Sequence, residues 1–346
     1  MGNVPARNRA TRLKGANPMN TTANPMNTTI NRRRFLTLAG QGALVCMVAP
    51  MARAVSTEPV ASGMPGSFDF VFFTDTHLQP ELKAAEGCAQ CFSRIAAFRP
   101  DFAISGGDLV FDANAVPHER AERLFAMYAD TEHILGLPIY HVIGNHDVFG
   151  IKPGSGAVSG AAGYGKKMFE DKIGQTYRSF DHKGYHFILL DSIQLTGDTS
   201  AWEARIDDRQ LAWLAEDLAR SGPSVPVIVT VHVPLVTSFY SYQPVQYPAD
   251  LPRLVVTNAH QVLQILERYP VIAVLQGHTH INECVVYKDC RYLTSGAVCG
   301  DWWKGSRWGF PEGFTVVSLR DGKLSYRYET YGFKSVSQPT ELERGG

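Results

Sequence analysis

Five short segments of the chain carry residue types that bind metal ions, and each follows an apolar run of strand length. Polar side chains at the tips of buried strands are where an α/β sheet builds its active site. Because long stretches of sequence separate these tips, the fold must bring them together. The segments are Asp75-Thr76-His77, Gly107-Asp108, Gly144-Asn145-His146-Asp147, His232 and Gly277-His278-Thr279-His280.

The ligand chemistry of these segments indicates a pair of metal ions. Carboxylates, a carboxamide oxygen and neutral imidazoles suit borderline-hard divalent metals, and none of the segments offers a thiolate. Seven ligands are too many for one ion, whereas an aspartate can bridge two ions with its two oxygens. Two ions about 3.5–4 Å apart clamp the attacking and leaving oxygens of a phosphoryl displacement. The segments therefore predict a dinuclear hydrolase holding Mn, Fe, Zn or a mixed pair.

The order and residues of the five segments resemble the signature motifs of the calcineurin-like metallophosphoesterase superfamily. That signature runs Asp-x-His, Gly-Asp, Gly-Asn-His-Asp/Glu, His and Gly-His-x-His. The resemblance extends from Phe68 to Tyr331 and places the domain at residues 67–333. It implies three ligands for each ion and one shared carboxylate. It assigns the first ion to Asp75, His77 and His280, the second to Asn145, His232 and His278, and the bridge to Asp108.

The expected mechanism follows from the charge of two ions. A metal pair lowers the pKa of a bridging water toward about 7, so a hydroxide is available near neutral pH. The same ions offset the charge that develops on the phosphate oxygens. The resemblance places His146 beside the phosphate, where it would protonate the departing alkoxide. Asp147 is expected to fix the tautomer of His146.

Substrate recognition is expected from two aromatic loops at the strand tips. One loop follows His232 and contains Tyr240, and the other follows the last motif and contains Trp302, Trp303 and Arg307. Loops at strand tips are exposed, and bulky aromatic side chains there need a partner such as a base, a sugar or an acyl group. A local hydrophobic cluster is the alternative. The sequence predicts that these four side chains line the substrate pocket.

The substrate class has three candidates. Purple acid phosphatases place a tyrosine three residues after the bridging aspartate, and here that position is Phe111, so an iron–tyrosinate site is not expected. The motif set resembles more closely the cyclic-nucleotide phosphodiesterase branch and its exported relatives. Hydrolysis of small phosphodiesters is the leading prediction, and phosphomonoester hydrolysis at the same site is the second. A catalytically silent metal-binding or carbohydrate-binding module is the third.

The first 54 residues have the composition of an export signal, with eight basic residues and no acidic one. The twin-arginine sequence at 31–36 precedes an apolar run to about Ala49 and a small-x-small cleavage site at 52–54. A run of about fifteen residues is short for a span that needs about 20, so no stable membrane anchor is expected. The sequence predicts export by the twin-arginine machinery, cleavage after Ala54 and a periplasmic or secreted location.

Cleavage would change the charge balance of the protein. It would remove eight of the 33 basic residues and leave 25 against 33 acidic residues, a formal charge of −8. A net acidic surface lacks the electrostatic footprint on which nucleic-acid affinity depends. Nucleic acid is therefore not expected as a partner, and a small phosphoester is.

One α/β domain is predicted after the signal. Strands alternate with amphipathic helical segments, and the pattern changes to consecutive strands after Gly277. Together with the resemblance, this pattern predicts a four-layer α/β/β/α sandwich of two mixed β-sheets flanked by helices. The predicted helices cover 86–99, 116–136, 208–220 and 259–269, and the later strands cover 283–288, 291–294, 314–319 and 324–329.

Five cysteines follow the predicted cleavage site, and in an oxidising compartment their odd number leaves at least one thiol unpaired. Cys284 and Cys290 flank a predicted hairpin turn and are the favoured pair for a disulfide, which the cross-strand geometry decides. Cys88 and Cys91 are expected to be two small buried residues of one helix rather than a redox pair. None of these, nor Cys299, is expected to bind metal.

Overall fold

The computed structural model describes residues 65–197, 201–241 and 251–336. The predicted export signal lies outside the described residues. Within them, no helix combines the length and the apolar character that crossing a membrane requires.

The first sheet has the strand order β13-β12-β1-β2-β3. Its strands β1, β2 and β3 are parallel, and β12 and β13 add antiparallel partners beside β1. Its bounds are β1 Phe68–Phe73, β2 Ala103–Ser105, β3 Ile139–His141, β12 Gly313–Arg320 and β13 Lys323–Thr330.

The second sheet has the strand order β10-β11-β9-β8-β5-β4. Its four central strands are parallel, and β10 and β4 are antiparallel edge strands. Its bounds are β4 Arg178–His182, β5 Tyr185–Leu190, β8 Val227–Val231, β9 Val271–Gln276, β10 Glu283–Tyr287 and β11 Cys290–Thr294. A small antiparallel pair joins β6 Ile193–Leu195 to β7 Trp202–Ala204.

Helices cover the outer faces of both sheets. Their bounds are α1 Ala84–Ala97, α2 His118–Glu132, α3 Lys167–Lys172, α4 Asp208–Ser221, α5 Leu251–Leu254 and α6 Ala259–Leu266. The four predicted helices therefore form, with ends that differ from the expected ones by a few residues. The amphipathic pattern of α4 buries Leu214 and Leu218 and leaves its polar face to solvent.

Strand β1 shows how the sheets pack into layers. Phe70 and Phe72 point into the space between the two sheets, where the ring of Phe70 meets Phe187 of β5 at 5.5 Å between centroids. Val71 and Phe73 point the other way and pack under the helices. A strand buried on both faces reads as a continuous apolar run. The expected four-layer sandwich of two mixed sheets flanked by helices is confirmed.

The expected disulfide is wrong, because all five cysteines of the described residues are free thiols. In the hairpin of β10 and β11, Cys290 stands opposite Tyr287 and Cys284 stands opposite Leu293. The two sulfurs are thus on different rungs of the ladder. Cys88 and Cys91 are both fully buried on α1, as expected, and burial raises the pKa of each thiol.

Candidate metal centre

The carboxyl ends of five strands meet at one edge of the sandwich, and the predicted ligands follow directly. Asp75 and His77 follow β1, and Asp108 follows β2. Asn145 begins a short 3₁₀ turn after β3. His232 follows β8, and the pair His278 and His280 follows β9. The fold therefore brings all seven side chains to one place.

The backbone at these tips is unusual. Five of the seven ligands have positive φ angles, between 39° and 73°, which non-glycine residues rarely adopt. Such conformations cost on the order of 1–3 kcal/mol each and persist only where the surrounding structure enforces them. The five are Asp75, His77, Asp108, His278 and His280.

Two glycines of the motifs permit the close approach of neighbouring tips. A Cβ at Gly144 would lie 2.2 Å from the backbone nitrogen of Asp108. A Cβ at Gly277 would lie 2.2 Å from the hydroxyl oxygen of Thr74 and 2.8 Å from Oδ2 of Asp75. Neither position could accept a side chain without moving a ligand.

One half of the centre forms around Asp75, His77 and His280. The Nε2 atoms of the two histidines lie 3.1 Å apart. Oδ1 of Asp75 lies 3.3 Å from Nε2 of His280 and 3.8 Å from Nε2 of His77. All three side chains are almost completely buried, so their nitrogens and oxygens face one another rather than water.

The other half forms around Asn145, His232 and His278. Nε2 of His232 lies 3.3 Å from Oδ1 of Asn145 and 3.2 Å from Oδ2 of Asp108. The same Asp108 oxygen lies 3.5 Å from Nε2 of His77 in the first half. Asp108 is therefore shared between the two halves, and it belongs to a potential ligand group in each.

The donor set fits two metal ions. Buried carboxylates and imidazoles that converge within hydrogen-bonding distance are costly unless a cation or protons neutralise them. Oxygen and nitrogen donors suit Mn, Fe or Zn, and the resulting groups share one bridging carboxylate. Asp75, His77 and His280 would hold one ion and Asn145, His232 and His278 the other, with Asp108 common to both.

Main-chain carbonyls orient three of the four ligand histidines. Nδ1 of His232 donates to the carbonyl of Gly106 at 2.8 Å, and Nδ1 of His280 donates to that of Gly300 at 2.7 Å. Nε2 of His278 donates to the carbonyl of Arg253 at 2.7 Å. Each bond fixes the tautomer and aims the second ring nitrogen at the centre, as is usual for metal-binding histidines.

Each half contains one imidazole that is easily protonated and one that is not. Burial opposes a charge on His232, but Asp108 outweighs it and raises the pKa of His232 to about 9. Burial likewise opposes a charge on His280, but the neighbouring Cys299 and Asp75 raise its pKa to about 10.

The other two histidines stay neutral. Burial, with His232 beside it, lowers the pKa of His278 to about 4. Burial also holds the pKa of His77 well below its usual value. Burial raises the pKa of Asp75 and Asp108, but the protonated histidines outweigh it and lower the pKa of both carboxyls. The ligand set without metal therefore carries two imidazolium charges against two carboxylates.

His146 lies at the rim of the centre, and its expected place beside the phosphate stays a prediction. Its Nδ1 donates to the carbonyl of Phe111 at 2.7 Å, and its backbone N–H donates to Oδ1 of Asp108 at 2.7 Å. It belongs to a potential ligand group with His77 and Asp108. Because Nδ1 is held by a carbonyl, Nε2 is the atom left to act on a substrate.

Asp147 does not contact the His146 ring, so its expected role in fixing the tautomer is wrong. Its carboxylate accepts hydrogen bonds from the backbone N–H groups of Leu109 at 2.8 Å, Val110 at 3.2 Å and Gly144 at 2.9 Å. These bonds tie the tips of β2 and β3 together. Burial and the charge of Asp108 raise the pKa of Asp147 to about 8, against the opposite effect of its N–H donors.

Of the predicted pocket residues, Trp302 is at the centre. Its ring lies 4.0 Å from the ring of His77, 5.0 Å from that of His146 and 5.1 Å from that of His280, between centroids. It is partly buried and forms a wall over the first half of the site.

The expectation for Trp303 is wrong, because this side chain is fully buried. Its Nε1 donates to the carbonyls of Thr76 and His77 at 3.0 Å, so it supports the first motif from below. The guanidinium group of Arg307 likewise bonds to other residues of the protein. Its Nη1 pairs with Asp301 at 2.8 Å and its Nε donates to the carbonyl of Thr279 at 3.2 Å.

Tyr240 lies in the 3₁₀ turn Phe239–Ser241, where its ring contacts Phe239 at 6.5 Å between centroids. Its part in substrate binding stays a prediction. Cys299 comes closer to the centre than the sequence indicated, with its sulfur 3.8 Å from Nδ1 of His280. No motif surrounds this cysteine, and only the loop after β11 brings it there.

Comparisons with known proteins agree with this site. Residues 68–282 match the family model of the calcineurin-like phosphoesterases. The chain belongs to this family, whose members use a dinuclear metal centre, and it is a metal-dependent phosphoesterase. The expected class of enzyme is thereby confirmed.

Individual relatives share moderate to low identity with the chain. It is 26% identical to the serine/threonine-protein phosphatase CPPED1 of Mus musculus over 265 residues, which cover 75% of this chain and 76% of that protein. It is similar to the structure of a dimetal phosphatase from Danio rerio, with a TM-score of 0.54, 14% identity and coverage of 78% and 98%. It is also similar to purple acid phosphatase PPD1 from yellow lupin seeds, with a TM-score of 0.51, 13% identity and coverage of 76% and 52%. At such identities the two structures show the fold alone.

Proposed function

We propose that this protein hydrolyses small phosphomonoesters at the paired metal centre. The sharing of Asp108 between two buried ligand groups carries the proposal, because a bridging carboxylate is what a two-metal hydrolase needs. When bound, the two ions supply a hydroxide nucleophile and offset negative charge on the phosphate oxygens.

The chain's own residues have separate tasks. Asp108 and the six other ligands hold the centre in shape, and six of the seven are buried, with His278 partly exposed at its edge. His146 donates a proton from Nε2 to the departing alkoxide, while the Phe111 carbonyl holds Nδ1 and keeps the ring in place. Trp302 walls the first half of the site and packs against the substrate's leaving group.

Similarity to a protein phosphatase over three quarters of the chain supports the monoester assignment. Hydrolysis of phosphodiesters, the leading expectation from the motifs, is the second candidate. Phe111 supports phosphodiesters as the substrate class. It occupies the position where purple acid phosphatases have a metal-binding tyrosine, so the chain lacks a residue typical of those phosphatases. The ring of Phe111 instead packs on Trp302, at 5.8 Å between centroids.

The test compares the Mn²⁺-loaded protein on 4-nitrophenyl phosphate and on bis(4-nitrophenyl) phosphate. We expect a higher kcat/KM on the monoester, and the reverse order would establish the diester as the substrate class. Asp108→Asn is the matched negative control, because it removes the shared charge while preserving the size of the side chain. No turnover of either ester by the wild-type protein would favour the catalytically silent binding module.

We further propose that this reaction occurs in the periplasm or outside the cell. The basic leader, the twin-arginine sequence and the cleavage site within the first 54 residues support export by the twin-arginine machinery. Changing Arg32, Arg33 and Arg34 to lysine should leave the full-length precursor inside the cell. Appearance of the mature form outside the cytoplasm in that variant would contradict the proposal.

A further inference from the structure

A groove that the metal centre does not use lies between α4 and the edge strand β4. Its volume is about 470 Å³. One wall is a single face of α4, on which Arg209, Trp213, Asp217 and Arg220 succeed one another at intervals of three or four residues. The opposite wall is the segment entering β4, including Tyr177 and Arg178. Three arginines thus line one surface depression.

Two of these arginines have no carboxylate partner within the part of the chain that the structure describes. Arg178 is half-buried, and its Nε is shielded from solvent with no hydrogen-bond partner among those residues. Its guanidinium lies 5.4 Å from the ring centroid of Tyr140, and burial lowers its pKa. Arg209 is exposed at the start of α4. Both guanidinium groups line the groove, so an anion bound there would be attracted by two positive charges that no carboxylate of the described residues pairs with.

The acidic residues of the groove do not cancel this charge. Asp217 accepts from Arg220 at 2.5 Å and from Nε2 of His186 at 2.9 Å. His186 has a second carboxylate, Asp181, at 2.6 Å from Nδ1, so both of its ring nitrogens face acceptors. Glu170, exposed at the rim, is the remaining acid of the lining.

An aromatic pair stands beside the arginines. The rings of Tyr177 and Trp213 lie 5.0 Å apart between centroids at an interplanar angle of 61°. Both are partly buried and so present apolar surface to the groove. The side chains of Thr176 and Ser179 add hydroxyl groups to the same lining.

We propose that this groove is a second anion site that binds an organic phosphate. Arg178 and Arg209 hold the phosphate through paired guanidinium hydrogen bonds, and Tyr177 and Trp213 contact its ring or other apolar part. Arginine suits this role because its planar fork matches two phosphate oxygens at once.

The site is separate from the metal centre. Arg178 pairs with Leu189 of β5, and β5 lies between β4 and β8, whose tip carries His232. Neighbouring strands are about 4.8 Å apart, so roughly 10 Å separates β4 from β8. A small ester bound at the metals does not reach across that distance to the arginines.

Isothermal titration of the Mn²⁺-loaded protein with phenylphosphonate, a non-hydrolysable aryl anion, tests the site. We expect two molecules bound per wild-type chain, one at the metals and one in the groove. Arg178→Gln/Arg209→Gln should bind one, or bind the second at least about tenfold more weakly, since each charge-assisted contact is lost. Arg123→Gln/Arg268→Gln removes the same charge elsewhere and should still bind two.

Two results would overturn the proposal: phenylphosphonate binding that the groove variant leaves undiminished, or equal losses in the control variant. A single molecule bound by the wild type and lost in the groove variant would still place that molecule in the groove. The KM for 4-nitrophenyl phosphate should not change in the groove variant, and a tenfold rise would show that the groove belongs to the metal centre. If the double variant does not fold, Arg209→Gln alone, at an exposed position, gives the same comparison. Binding is read without turnover, so the outcome is independent of the proposed phosphatase activity.

Discussion

Metal loading should be strongly linked to proton release. The pKa of His232 is about 9 and that of His280 is about 10, so both are protonated at pH 7 before metal binds. The pKa of His278 is about 4 and that of His77 is well below its usual value, so both are already neutral. One protonated imidazole belongs to each half of the centre. Each ion must therefore displace one imidazole proton.

The size of the effect follows from this count. Below the pKa of the displaced proton, the affinity for each ion rises about tenfold for every pH unit, which is about 1.36 kcal/mol. From pH 6 to pH 8 the affinity for each ion should rise about 100-fold, about 2.7 kcal/mol, and it should level off near pH 9–10. Asp147, with a pKa of about 8, can release up to one further proton when both ions are bound.

Titration of the metal-free protein with Mn²⁺ in buffers of different ionisation enthalpy measures the protons released. We expect at least two protons per chain at pH 7 once both ions are bound, two from His232 and His280 and any further release from Asp147 and the metal-bound water. His118→Gln, which changes a histidine outside the centre, should release the same number. A release below about one proton per chain, or an affinity that does not change between pH 6 and pH 8, would refute the assignment of the charged imidazoles.

Three substitutions test the roles of individual side chains. His146→Ala should retain both metals and lose about 10²–10⁴-fold in kcat, because it removes the proton donor, and unchanged turnover with unchanged metal content would exclude that role. Asp147→Asn should lower the free energy of unfolding by about 1–3 kcal/mol, because an amide nitrogen in place of Oδ2 cannot accept the N–H of Gly144, and chemical denaturation measures this. Trp303→Ala should cost about 3–5 kcal/mol of stability. Trp302→Ala should instead raise KM with a much smaller loss in the unfolding midpoint, and equal losses for the two tryptophans would contradict their separate roles.

The sequence predicted the parts of the site that depend on local pattern. The runs before Asp75, Asp108 and His232 were recognisable as strands because nearly all of their residues are apolar and buried, with the partly buried Asp69 of β1 as the exception. The strand pair of β4 and β5 was not predicted. The run in β5, Tyr185–Leu190, is equally apolar, but no ligand motif follows it, so nothing drew attention to it.

Side-chain direction was the main source of error. Trp302 and Trp303 are adjacent and both have positive φ, yet one ring covers the centre and the other is buried beneath it. Residue type does not distinguish them. Asp147 follows His146 in a 3₁₀ turn that points the two side chains apart. Cys284 and Cys290 lie on neighbouring strands, but the register of the hairpin does not place them opposite each other. Each of these outcomes depends on backbone geometry that spacing alone does not encode.

The histidine ligands depend on the peptide chain for their support more than on any side chain. The carbonyls of Gly106, Arg253 and Gly300 that orient them are groups every amino acid possesses. The side chain at position 253 is therefore open to change during evolution without misaligning His278, provided that the path of the main chain is preserved. Related enzymes can therefore differ in the side chains around the entrance to the metal centre, and so in the esters that they accept. The positions of the histidine ligands would stay the same.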